Sequence, residues 1–524
     1  MTRSDDYVDM QAKAQAEDAD SPLKQSLDFT PFDAAIDALT PGRIGVLDAR
    51  IQGASVAQIQ AALSRRETTS AELVAYYVER IRRIDHGRHN AVLELNPDAL
   101  RIAAQLDAER SEGRVRGPLH GIPVTLKANI GTGDAMHTSA GAAALAALIT
   151  DRDAYLVTLL RKAGAVILAK NNLSEWANFY TQGSINGFSV LGGHTRNPFG
   201  LFDAGGSSSG SCVAVALGLT PLSIGSETTG SIVYPASQNG VVGLKPSVGL
   251  VSRDRIVPIT DAFDTAGPLA RTAADAAALM MVIASDRDDT DPASAEAIGG
   301  FGLDYTIGLQ PDGLRGVRVG LVTREEDVRT GDSTVHAQIA RWLTGAGAVV
   351  VRVPPLAEFA GKETDERLAS DSFQILLMGY RLGVEAFLHA QGDRAPIQTL
   401  AELVAYNAEQ AEARVPYGQT YIEQAAGLSD EVLALYNDLV DATVIAYRDA
   451  INDALRKYDV AFFADFANYA SPYHSRAGYP ALTLPAGRRD SGEPLGVTLF
   501  SGWLRDADLL RWGHAYEIAR SEAG

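Results

Sequence analysis

Residues 204–218, AGGSSSGSCVAVALG, put three glycines and four serines into seven positions directly ahead of an apolar run of helical character. A solvated linker, a phosphate cradle, a nucleophile turn or a strained part of a hydrolase site could each be written this way. A phosphate loop needs Gly-x-x-x-x-Gly-Lys-Ser/Thr after a strand, because the lysine meets the phosphates and the hydroxyl meets magnesium. No lysine follows Gly210, so nucleotide binding has no support. Gly206, Ser208 and Gly210 do match the Gly-x-Ser-x-Gly elbow with Ser208 as nucleophile, but an elbow is fed by a strand. The preceding TRNPFGLFDAG (195–205) is rich in Pro, Gly, Asp and Asn, and His336, His389, His474 and His514 lie in undistinguished settings. A plainer reading makes Ser208, Ser209 and Ser211 caps and loop hydrogen-bonders, since serine oxygens satisfy free amides at a helix start.

The surroundings bound the choice. The 524 residues are 46% hydrophobic and 21% charged, the balance of a chain able to bury a large core. A net charge of −19 repels nucleic acid and anionic lipid, which favours a small neutral or cationic substrate. Cys212, the one cysteine, has no disulfide partner and falls in the apolar run as a small core residue. The start, MTRSDDYVDMQAKAQAED, has no apolar signal region, so a cytoplasmic location is expected. SAGAAALAALIT (139–150) is too short to span a bilayer, which takes about 20 apolar residues. No membrane partner is expected.

Residues 1–45, acidic and punctuated by Pro22, Pro31 and Pro41, read as an extension lying on the surface or partly disordered. From Ser55 to Asp85 the spacing predicts a helical pair, with Thr69 or Ser70 capping the second helix. GIPVTLK, AGAVILAK and PLSIG are β-rich runs alternating with helical text such as DAYLVTLLRK, which argues for an α/β sheet. Between about 360 and 460 the text is mostly helical, and strands return at DVAFFA, ALTLPAG and LGVTLF. The domain organisation expected is one unit over 46–524 with a helical insertion at 360–460.

Further chemistry comes from motif order. GPLHGIPVTLK (117–127), AKNNLSEWAN (169–178), GGSSSGS (205–211), GSETTGSI (225–232) and GLKPSVGLVSR (243–253) together resemble the amidase signature family, including its 24-residue step from Ser207 to Ser231. The resemblance runs from about residue 55 to the C-terminus and is patchy in the helical insertion. It implies one large mixed β-sheet covered by helices on both faces. It also implies a catalytic set of Lys127, Ser207 held by a cis peptide bond, and the nucleophile Ser231, with Thr228, Thr229 and Gly230 as the oxyanion hole. Phe179 and Tyr180 are candidate substrate-binding residues, and neither metal nor cofactor is required. His120 and Trp176 also sit in family-like segments, where helix packing or loop anchoring accounts for them.

In such a site a neutral lysine draws the proton of Ser231 through Ser207 as Ser231 attacks the amide carbonyl, giving an acyl-enzyme that water then cleaves. The lysine must lose several pKa units, and burial without a paired carboxylate is the available means. Ala128 stands where the family usually has aspartate after the lysine, and Glu227 where aspartate is common in the turn. The stretch FFADFANYASPYHSRAGYPALTLPAG (462–487) is short and aromatic where the family often has a Pro-Thr loop, which suggests a more open pocket. The expected activity is hydrolysis of small N-acyl or peptide-amide substrates by a monomer or homodimer. The alternatives are ester, hydrazide or carbamate hydrolysis on the same site, and one subunit of a glutamine-dependent amidotransferase. A non-catalytic binding protein is disfavoured by the intact Lys127, Ser207 and Ser231.

Overall fold

In the computed structural model, residues 21–324 and 332–523 are described, so the first twenty residues of the expected extension lie outside them. The strands are β1 (Val92–Leu95), β2 (Pro123–Lys127), β3 (Val166–Asn171), β4 (Phe188–Ser189), β5 (Gly193–His194), β6 (Leu222–Glu227), β7 (Val242–Lys245) and β8 (Thr265–Ala270), then β9 (Arg318–Val322), β10 (Val349–Val353), β11 (Phe462–Phe466), β12 (Ala481–Arg488) and β13 (Pro494–Phe500). Eleven of them form one sheet in the order β1-β3-β2-β6-β8-β7-β12-β13-β11-β9-β10, and β4 and β5 form a separate pair. The sheet is mixed: β2 runs parallel to β3 and β6, while β8 is antiparallel to both β6 and β7.

Helices cover both faces, as strand alternation along β12 makes plain. Leu482 and Leu484 pack towards the helix Asp506–Glu522, close enough that a Cβ on Gly513 would come within 2.5 Å of Leu482. Thr483, between them, points the other way and donates its hydroxyl to Val233 O at 3.2 Å on the helix Val233–Gln238. The second predicted helix of the N-terminal pair spans Ser70–Arg80, and Thr69 caps it by accepting the Glu72 amide. Between β10 and β11 the described chain is helical or irregular. Its two longest helices, Lys362–Gln391 and Tyr436–Tyr458, are tied where Ser372 Oγ donates to Tyr447 OH at 3.3 Å.

The expected extension packs further in than its composition suggested. Phe32 and Ile36 are buried in the main core, and the helix Pro41–Ile51 runs through position 45 to bury Leu47 and Ile51 just beyond it. Each pair is four residues apart, a local apolar face that an acidic average conceals. Among the described residues, no helix is long and apolar enough to cross a membrane, and no group of three or more His, Cys, Asp or Glu side chains is placed to hold a metal ion.

The pairing of β2 with β6 brings two strand ends together. Val124 lies beside Leu222 and Leu126 beside Ile224, so the carboxyl ends of these parallel neighbours emerge on the same side of the sheet. In α/β sheets that is where backbone groups are left free and sites are built. Lys127 ends one strand, and Ser226 and Glu227 end the other.

Candidate active site

The glycine-serine stretch is a buried loop. The Gly206–Ser207 peptide bond is cis, and the helix Ser209–Ala216 begins two residues later. No side chain caps that helix, which corrects the capping reading of its serines. Each hydroxyl instead serves the backbone or side chains around the loop. Ser209 donates to Gly205 O, Ser211 donates to Ile224 O at 3.2 Å, and Ser208 donates to Ser226 O at 3.0 Å while accepting the Ser226 amide at 3.2 Å. Buried carbonyls must find donors, and here the strand end β6 is supplied by serines. Gly225 makes the Ser208 contact possible, since a Cβ there would come within 2.8 Å of Ser208 Oγ. Cys212 is buried in the core, as expected.

Lys127 is fully buried. Its Nζ donates to Ser207 Oγ at 2.7 Å, Ser226 Oγ at 2.9 Å and Ser226 O at 3.1 Å. No carboxylate is among these partners, so burial pushes the amine down to about 7, against the pull of the Asp264 and Glu227 charges. A lysine held there is partly neutral at ordinary pH and can act as a base. His474, one of the histidines an elbow-type site could use, is also fully buried, and burial drives it well below the usual imidazole range.

The turn after β6 carries the remaining expected residues. Ser231 is buried, and its carbonyl accepts the Ser208 amide at 3.1 Å, which joins it to the loop that holds Ser207. The amides of Thr228, Thr229, Gly230 and Ser231 make no hydrogen bond to the protein among the described residues and remain available as donors. Gly230 adopts φ +83°, and a Cβ would meet Asn468 Nδ2 and Ser471 Oγ at 3.3 Å. The positive φ favours glycine, and a methyl group here would press on both side chains. Asn468 and Ser471 also show that the aromatic C-terminal loop packs onto this turn and is not withdrawn from it.

Sequence reasoning noted Glu227 only as a departure from the family pattern and missed the other supports of this turn. Glu227 accepts the amides of Ile232 at 2.7 Å and Val233 at 3.0 Å through one oxygen, and the Ser475 hydroxyl at 2.7 Å through the other. The longer reach of glutamate is thus used to anchor the loop. Asp264 accepts the Thr228 hydroxyl and the amides of Ile259 and Thr260, and burial raises it to about 6. Asn129 donates to Ser226 Oγ at 3.0 Å. Only Glu227, standing just ahead of a helix start, had a local signal.

Phe179 and Tyr180 pack into an apolar cluster with Trp176 and Tyr380. Phe179 stacks on Tyr421 at 5.0 Å and meets Tyr380 edge-on at 5.3 Å, and Tyr180 is buried. Neither makes a hydrogen bond or ring contact with Lys127, Ser207 or Ser231 among the described residues. The preceding residues Trp176, Ala177 and Asn178 all have positive φ, which turns this segment sharply. Ala177, rather than the aromatic pair, lines a cavity of about 520 Å³ that also touches Asn129, Ser226 and Thr228 and is walled by Ile259 and Leu382.

Known proteins share this arrangement of chain. The Amidase family profile matches residues 72–510. Similar proteins include a probable amidase of Arabidopsis thaliana, 34% identical over 90% of this chain and 90% of that one. Another is a glutamyl-tRNA(Gln) amidotransferase subunit from Acidothermus cellulolyticus, 32% identical over 89% of this chain and 94% of that one. Among solved structures, the native peptide amidase of Stenotrophomonas maltophilia is 41% identical with a TM-score of 0.82, covering 88% of this chain and 96% of its own. An amidase family protein of Bacillus anthracis is 32% identical with a TM-score of 0.87, covering 94% and 95%. The family match begins inside the helix Ser70–Arg80 and ends inside the last helix, enclosing the buried lysine and both glycine-flanked serines, so the chain belongs to the amidase, or amidase signature, family.

Proposed function

We propose that this amidase cleaves the C–N bond of small carboxamides, of the N-acyl or peptide-amide type, through an acyl-enzyme on Ser231. The observation that carries the reading is the 2.7 Å contact of Lys127 Nζ with Ser207 Oγ in a site where the lysine is largely desolvated. Ser231 attacks the carbonyl carbon, its proton passes through Ser207 to Lys127, and the same path returns a proton to the leaving amine. The carbonyl electrons collect on the oxygen, which the amides of the turn Thr228–Thr229–Gly230 receive, a good donor being worth roughly 3 kcal/mol. Water then repeats the sequence on the acyl group. No metal or cofactor enters any step.

The 41% identity to a peptide amidase supports amide over carbamate, hydrazide or ester as the physiological class. Relatives named as amidotransferase subunits keep a second reading open, in which glutamine is the amide and a partner receives the ammonia. The purified chain alone separates the two, because a stand-alone amidase turns over small amides without a partner. The same reading takes residues 46–524 as one catalytic unit with an insertion at 360–460, working in the cytoplasm as a monomer or homodimer. Phe179 and Tyr180 act by shaping the wall behind Ala177.

The test is covalent trapping. A fluorophosphonate, followed by peptide mass spectrometry, is expected to modify Ser231. An adduct on Ser208 would replace this mechanism with an elbow-type one.

A further inference from the structure

The hydrogen inventory around Lys127 leaves one residue unexplained. Its Nζ has three oxygen partners: Ser207 Oγ, Ser226 Oγ and Ser226 O. An ammonium has three N–H donors and fits all three as acceptors. A neutral amine has two N–H groups and one lone pair, so one partner must donate to it. The Ser226 carbonyl cannot donate. The choice therefore falls between the two hydroxyls, and it decides whether the base faces the relay or faces away from it.

We infer that Ser226 is a positioning residue that takes both N–H groups of neutral Lys127, one on its carbonyl and one on its hydroxyl, and thereby leaves the lone pair aimed at Ser207. This rests on the reading of Lys127 as the base. Three contacts hold Ser226 in that office. Asn129 Nδ2 donates to its Oγ at 3.0 Å and also to Val257 O at 3.3 Å, which fixes the hydroxyl oxygen in place. Ser208 binds its amide and carbonyl together, at 3.2 and 3.0 Å. The ladder with β8 sets Ser226 opposite Ala266. The Ser226 hydroxyl hydrogen has room to turn away from Lys127, because Ser226 borders the 520 Å³ cavity. The second serine of the glycine-serine loop thus gains a role: Ser208 clamps the residue that orients the base.

The charged and titratable groups felt by Lys127 are Asp264 just ahead of β8, Glu227 at the end of β6 and the Cys212 thiol on the helix Ser209–Ala216, and Ser226 carries no charge among them. Replacing Ser226 by alanine removes one acceptor of the ammonium, so the amine becomes easier to deprotonate. The lone pair is then free to point elsewhere, and proton transfer slows even though more of the lysine is neutral.

The experiment is a profile of kcat/KM and kcat against pH for a small amide, in the wild type, Ser226→Ala, Ser226→Thr and Lys127→Ala, with thermal unfolding of each. Expected for Ser226→Ala is a plateau loss on the order of 10²-fold in kcat, as for other misplaced catalytic groups, with little change in KM. Its acid limb should move to lower pH, and Ser226→Thr should recover most of the rate and the limb position. A wild-type plateau in Ser226→Ala overturns the inference, as does a loss of rate with an unmoved limb, which is what mere loosening of the loop would give. Wild-type amide turnover in Lys127→Ala would instead remove the base assignment itself, and this inference with it.

Discussion

Lys127 Nζ and Ser207 Oγ meet at 2.7 Å across 80 residues of chain, one at the end of a central strand and the other beside a cis peptide bond. The amine has no carboxylate to hydrogen-bond, and every partner it has is a hydroxyl or carbonyl of the glycine-serine loop or of the carboxyl end of β6. An ion pair here would keep the lysine charged and idle. A polar but uncharged cradle leaves its protonation to desolvation, and that is what sets the pH behaviour of the site.

Ser231→Ala is expected to lower kcat by several orders of magnitude, on the order of 10⁶ where a nucleophile is removed from a hydroxyl-based site. Ser208→Ala should leave far more activity, because its hydroxyl is committed to the Ser226 carbonyl. Steady-state rates on one amide decide the matter, and a Ser208→Ala variant as inactive as Ser231→Ala would count against Ser231.

The amide kcat/KM should rise with pH through an ionisation near 7, since only the neutral Lys127 amine accepts a proton. A histidine base at His474 is not expected, because burial keeps that ring neutral well below the usual range. His474→Gln should therefore retain the acid limb, whereas Lys127→Ala should lose it. The two profiles, read side by side, assign the ionisation.

Lys127 also makes stability depend on pH. Its folded value of about 7 lies below the roughly 10.4 of an unfolded lysine, so between these values the unfolded chain binds more protons. Stability from this group then rises with pH from 7 to about 10, by at most about 1.4 kcal/mol per pH unit. Lys127→Met lacks the term. The advantage in unfolding free energy of the methionine variant over the wild type should be greatest near pH 7 and shrink towards pH 10. Denaturant titrations at several pH values measure it, and a pH-independent difference would mean that the folded lysine is not depressed.

Gly230→Ala should reduce kcat by roughly 10²- to 10³-fold, the cost of displacing one oxyanion donor, with a smaller change in KM. The new methyl group meets Asn468 and Ser471 at 3.3 Å on a backbone with φ +83°. Separate kcat and KM values are needed, because a loss confined to KM would place the glycine in ground-state binding.

Glu227→Gln should lower both stability and activity. The carboxylate accepts two backbone amides through one oxygen and the Ser475 hydroxyl through the other, so a glutamine that keeps its oxygen on the amides must present its NH2 to Ser475, reversing that bond and losing the charge that strengthens all three. A loss of about 1–3 kcal/mol is the scale for such a buried mismatch. Chemical denaturation checks it, and an unchanged midpoint would show that the turn is held elsewhere.

What the sequence determined by itself is local. The alternation of short β runs with helices, the Thr69 cap, the buried Cys212 and the two glycine-flanked serines in order after GIPVTLK are each written in contiguous residues, because periodicity and turn chemistry act over a few positions. What only the tertiary structure decided is which of several look-alike serines does what. Ser207, Ser208, Ser209 and Ser211 are nearly indistinguishable as text, and they differ in their hydrogen bonds because the fold brings a different partner to each hydroxyl. Asp264 joins Thr228, and Ser475 joins Glu227, for the same reason. The seclusion of Phe179 and Tyr180 in an aromatic cluster, and the packing of Phe32 and Leu47 into the main core, likewise depend on neighbours far away in the chain. The depressed lysine is the clearest case, since desolvation belongs to no residue and arises only when the whole sheet and its loops have closed around the amine.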